Sequence, residues 1–166
     1  PVATPIMNGM RFDVAGETLL LDWSERHPRK PVRYDGRLQI GGPAEGLEVR
    51  LLRWLKAEAR ALFDLETQEF AAKIAVSVPP IGIGDPVSRW GSCASTGQIR
   101  YSWRLILAPS FVRRATVAHE VAHCVHMNHG AAFHALVKDI LSDDPTPARK
   151  WLRNNGSALH WFGRSS

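Results

Sequence analysis

Cysteine is scarce in this chain: 166 residues carry only Cys93 and Cys124. Two cysteines make no disulfide framework, so both are expected as reduced thiols in a cytoplasm, with Cys124 a small buried residue. Long apolar runs are missing as well. None approaches the roughly 18–20 residues of a membrane-spanning helix, and no membrane partner is expected. There is no internal repeat, no low-complexity tract and no glycine-rich loop of the phosphate-cradling kind, which counts against solenoids and P-loop enzymes. The chain starts at Pro1 rather than Met, as a fragment or processed product would, so a missing targeting segment carries no weight. Acidic residues are few in the second half. Residues 1–85 hold 11 Lys+Arg against 12 Asp+Glu, whereas residues 86–166 hold 10 against 4, so the whole net charge of +5 comes from the latter. A basic half of this kind favours nucleic acid, nucleotides or acidic peptides as partners; a solvated surface is the plain alternative.

With 45% apolar and 22% charged residues, the chain has an ordinary globular composition and enough length for a real core. Met10 to Leu21 alternates as a strand pair turning at Ala15-Gly16. Val32-Arg33-Tyr34 and Leu38-Gln39-Ile40 flank Asp35-Gly36, a tight-hairpin signal. Residues 1–43 therefore read as a small antiparallel β region and residues 44–166 as the main domain. A helical period runs from Ala44 to Leu65, with a second helix expected from Thr67 as N-cap to Lys73. Ile74, Val76 and Val78 alternate as a strand, and Pro80 to Pro86 reads as a loop. Gln98 to Leu107 reads as a long strand, paired with Ser88–Cys93 as a hairpin. Pro109-Ser110 opens a helix. Phe133, Leu136, Val137 and Ile140 mark another, and a short helix with Trp151 and Leu152 is expected to end at Asn154-Asn155-Gly156.

The opened helix carries His119-Glu120-Val121-Ala122-His123 among apolar neighbours. Residues four apart on a helix lie about 40° from each other, so both imidazoles can share one zinc ion. Glu120, about 100° round from His119, can flank the metal without binding it and serve as general base for a metal-bound water. His126 follows His119 by seven residues, about 10.5 Å along the axis, too far for one tetrahedral ion. His129 reaches the ion only if the helix ends first. Asn128 is the candidate left-handed residue for that turn, and Gly130 follows. His119, His123 and His129 are thus the expected ligands, with a fourth position open for water as in catalytic zinc sites. Arg89, Trp90, Tyr101 and His126 are the candidate substrate contacts. Arg89 and Trp90 read equally well as a packed, stacked pair, and His126 as a partly exposed histidine supporting the ligands.

Three segments together, Arg89-Trp90-Gly91-Ser92-Cys93, Ile99-Arg100-x-x-Trp103-Arg104-Leu105-Ile106-Leu107-Ala108-Pro109 and His119-Glu120-x-x-His123 through Asn128-His129 to Phe133, resemble the YgjP-like family of predicted zinc metallopeptidases. That family is related to the SprT-like proteases. The resemblance implies a zincin-like α+β core, zinc on the three histidines, Glu120 as catalytic base, and a peptide or protein substrate. His134 departs from the family pattern, which has a bulky aromatic there. Two other classes remain open from the residues themselves: a zinc-dependent hydrolase of nucleotides or other phosphate esters, and a non-enzymatic module that zinc merely stabilises.

Overall fold

The computed structural model describes residues 2–164. Its first sheet is built from two tight hairpins. Strands β1 (Arg11–Val14) and β2 (Glu17–Trp23) turn at Ala15-Gly16, and β3 (Val32–Tyr34) and β4 (Arg37–Ile40) turn at Asp35-Gly36. Both residues of each turn have positive φ, at 53° and 86° in the first and 52° and 73° in the second. That is the mirror-image turn whose twist suits flanking strands. The sheet order is β1-β2-β4-β3, and β2 runs parallel to β4, with Leu21 opposite Leu38. The sheet is therefore mixed rather than antiparallel. The loop between β2 and β3 carries the chain to the outer edge, so β4 returns in the direction of β2. Phe12, Val14, Leu19, Leu21, Leu38 and Ile40 all point inward and are buried.

Helix α1 (Leu47–Lys73) is one unbroken run of 27 residues. The expected break before Thr67 is absent because the stretch contains neither glycine nor proline. Thr67 is buried, and its hydroxyl hydrogen-bonds to that of Tyr101 (2.8 Å) instead of capping a helix. Ile74 to Val78 forms no strand: Ala75 takes φ 55° and Pro79-Pro80 lack backbone donors. The strand lies further on, β5 (Gly82–Gly84), inside the expected loop.

The second sheet has the order β5-β7-β6, with β6 (Gly91–Cys93) at an edge and β7 (Ile99–Ser102) central. The long strand expected to Leu107 stops at Ser102, whose side chain accepts the Arg104 amide (3.3 Å) and starts a 3₁₀ turn over Trp103–Leu107. Then come α2 (Ser110–Ala122), α3 (Ala131–Leu141) and α4 (Thr146–Trp161). Helix α4 runs for 16 residues straight through Asn154-Asn155-Gly156. Its C-terminal end is held by the guanidinium of buried Arg104, which donates to the carbonyls of Leu159 (2.8 Å) and Phe162 (2.7 Å) and pairs with Asp85 (2.7 Å). One hydrophobic cluster connects the first sheet (Leu21, Ile40) to α1 (Leu55, Phe63) and α2 (Val117, Val121). Among the described residues, no helix is long and apolar enough to cross a membrane.

Candidate metal centre

Helix α2 is buried along Val112, Ala115, Val117, Ala118, Val121 and Ala122, small and branched side chains that let it sit between α1, α3 and β6. It ends at Ala122, with His123 as its C-cap. Tight backbone bonds follow at once, from Cys124 to Val121 (3.0 Å) and from Val125 to Ala122 (3.1 Å). The turn thus comes earlier than expected, and Asn128 is not among the residues of positive φ. Ending the helix here swings the next segment back across its end and returns His129 to the face of His119 and His123.

The three rings gather tightly. Their centroids stand 4.9 Å (His119–His123), 5.2 Å (His119–His129) and 4.7 Å (His123–His129) apart. One nitrogen from each lies within 4.8 Å of the others. Nε2 of His123 and Nε2 of His129 are 3.0 Å apart, close to the roughly 3.3 Å that separates two nitrogens on a tetrahedral ion with bonds of about 2.0–2.1 Å. The donor set fits a borderline-soft divalent cation such as zinc. Nδ1 of His123 donates to the His126 carbonyl (3.0 Å), which places the proton on that nitrogen and leaves Nε2 free to ligate. Burial and the neighbouring charges of His123 and His129 bring His119 down to about 4, so it stays neutral, the form that binds metal.

Phe133, expected on a helix and as the end of the third motif segment but with no role at the metal, floors the cluster. Fully buried on α3, it lies 4.9, 4.5 and 5.0 Å from His119, His123 and His129. Its position four residues after His129 was the available signal.

Glu120 is 5% exposed and faces Gly91 of β6. Burial pushes its carboxyl up to about 7, against the pull of the Arg89 charge. Cys93 and Cys124 neighbour each other just beyond, and Cys93 Sγ donates to the Ala94 carbonyl (3.5 Å). Burial, the neighbouring Cys124 and Glu120 push Cys93 up to about 12, and burial also raises Cys124, so both are thiols rather than thiolates.

The other expected contacts separate. Arg89 is exposed near Glu120. Trp90 does not stack on Arg89. Its ring lies on His160 of α4 (4.5 Å, 23° between planes) and against Gly156, and it walls a cleft of about 240 Å³ over His119 and Glu120. His126 serves through its carbonyl. Tyr101 is a core residue, 1% exposed with its hydroxyl engaged by Thr67, so it offers no free donor to a substrate.

The family model described as YgjP-like, metallopeptidase domain, matches residues 1–155. No curated protein and no solved structure matches the chain.

Proposed function

Because the chain belongs to the YgjP-like metallopeptidase family, we propose that it is a zinc-dependent peptidase with a zincin-like core, formed by α2 packed against the edge strand β6. The observation that carries this reading is the convergence of the His119, His123 and His129 nitrogens beside a buried, protonatable Glu120. A bound zinc ion acidifies water and polarises a carbonyl. His119, His123 and His129 would hold it. Among the described residues the cluster has three members and no fourth protein ligand, which favours a catalytic over a structural site.

Glu120 takes a proton from the attacking water on its carboxylate and passes it to the leaving amine, a task suited to a carboxyl whose burial strengthens its hold on a proton. Arg89, beside Glu120, favours the ionised carboxylate that starts this cycle. The outer edge of β6 takes the substrate backbone as an added strand, keeping the scissile amide extended next to Glu120. The two free, half-buried thiols suit a reducing, cytoplasmic setting.

The test is metal analysis of the purified protein with turnover of unfolded protein and of a nucleoside triphosphate panel. Glu120→Gln should keep about one zinc per chain and lose at least about 10²-fold in peptide turnover, the usual worth of a positioned general base. Undiminished turnover in that variant refutes the base assignment. Hydrolysis confined to the triphosphates refutes the peptidase reading.

A further inference from the structure

The cleft beside the imidazoles is shaped for more than an extended backbone. At about 240 Å³ it is smaller than the roughly 300–1,000 Å³ of pockets for drug-sized ligands, and so suits one side chain. His119 and Glu120 form its floor, and Trp90, Val137, Ala148 and Leu152 give it apolar walls. An amide placed over that floor sends its flanking side chain against these walls.

Arg149 lines the same cleft from α4 and is exposed. Its one side-chain hydrogen bond is a long one, to Thr146 Oγ1 (3.4 Å). Among the described residues it pairs with no carboxylate, whereas Arg104 holds Asp85 and Arg113 and Arg114 share Glu66. The acid nearest in sequence, Asp144, accepts from the Thr146 amide (3.0 Å) and feels the Arg149 charge without forming an ion pair with it. A guanidinium left unpaired at the mouth of an apolar pocket presents donors matched to an incoming carboxylate.

We infer that this cleft is a specificity pocket that takes one large apolar side chain next to the cleaved bond, while Arg149 binds a carboxylate of the same substrate. The carboxylate is either the chain terminus or an acidic side chain. This rests on the peptidase reading above and names the class of peptide it acts on. Trp90 fixes the size of the pocket, because His160 and Gly156 hold the indole in place.

The experiment uses zinc-loaded protein and fluorogenic peptides with Leu, Phe, Gly or Asp beside the cleaved bond. Each is made as free acid, as C-terminal amide, and as amide with an added internal Asp. Binding of labelled versions to Glu120→Gln is followed by fluorescence anisotropy. Leu and Phe peptides should exceed Gly peptides at least about ten-fold in kcat/KM, as expected for filling an apolar pocket. Arg149→Met should raise KM for the acid-bearing peptides about ten-fold, the worth of one charge-assisted hydrogen bond, and erase their advantage over plain amides. Arg149→Lys should recover part of it. An advantage limited to free acids identifies the terminus; one shared with internal Asp identifies any nearby carboxylate. Equal turnover across the panel, or indifference to Arg149→Met, overturns the inference and leaves the peptidase standing. Without turnover, side-chain-selective and Arg149-dependent binding to Glu120→Gln keeps the pocket and sinks the peptidase. The absence of both turnover and binding sinks both.

Discussion

A methyl group on Gly91 would stand 2.7 Å from Oε2 of Glu120 and 3.0 Å from its Cγ. The edge strand and the motif helix are in contact here through bare backbone, and the carboxylate is held by that wall. Gly91→Ala is therefore expected to push Glu120 out of line while the three histidines remain in place. Zinc content should be unchanged, and kcat should fall about 10²-fold, the cost of displacing a catalytic group by about an ångström. Metal analysis alongside steady-state kinetics checks this; wild-type kcat would mean that the contact does not position Glu120.

His126 and His129 separate backbone from side-chain roles. His126→Ala keeps the carbonyl that accepts from His123, so zinc affinity in competition with a chelator should stay within a few-fold of wild type. His129→Ala removes one of the three proposed ligand nitrogens and should weaken affinity at least about 100-fold. The reverse order would make His126 the ligand.

Replacing a mid-helix glycine with alanine ordinarily stabilises by about 1 kcal/mol. At Gly156 the added methyl would meet Trp90 Cζ2 at 2.9 Å, and the ring is pinned by His160. Gly156→Ala should therefore lower the melting temperature and slow turnover. A rise in Tm with unchanged kinetics would show the indole to be free to move. This contact also explains why Asn154-Asn155-Gly156 looked like a helix end. Glycine is common both where helices stop and where another chain comes close, and local sequence does not distinguish the two.

Arg104 connects Asp85 to the end of α4. Removing it in Arg104→Met strands two buried carbonyls and leaves the partly exposed Asp85 only its longer contact with Arg164 (3.5 Å), for a loss of about 3 kcal/mol, or about 10 °C in Tm. Calorimetry at neutral pH measures this, and a shift under 2 or 3 °C, on the order of 1 kcal/mol, would contradict it.

The Asp85 carboxyl has a pH signature. Burial raises its pKa, but the hydrogen bond and charge of Arg104, then the charges of Arg164 and His160, leave it below the ordinary 3.8. A depressed carboxylate stabilises the fold above its unfolded pKa, and this contribution is lost as pH falls through the folded value. The Tm gap between wild type and Asp85→Asn should therefore be present at pH 6 and close only below pH 3.8. Asp85 is more than a third exposed, so the gap is expected to be small. A gap that widened in acid would reverse the sign and reject the pairing.

Features under short-range control are legible along the chain. The two hairpins follow from Ala15-Gly16 and Asp35-Gly36, because positive φ at both turn positions is a local preference. The juxtaposition of His119 with His123 follows from helical periodicity, and the expectation of a third ligand follows from the coordination number of the proposed zinc. The rest depends on contacts between distant segments. Thr67 is a good N-cap in isolation, but Tyr101 takes its hydroxyl and α1 runs on. Helix α2 stops at Ala122 rather than Asn128, and that early stop returns His129 to the cluster. Phe133 beneath the imidazoles, Gly91 against Glu120 and Trp90 over Gly156 are contacts between separate elements. Their energies depend on which surfaces meet, and neighbouring residues in the chain carry no record of that.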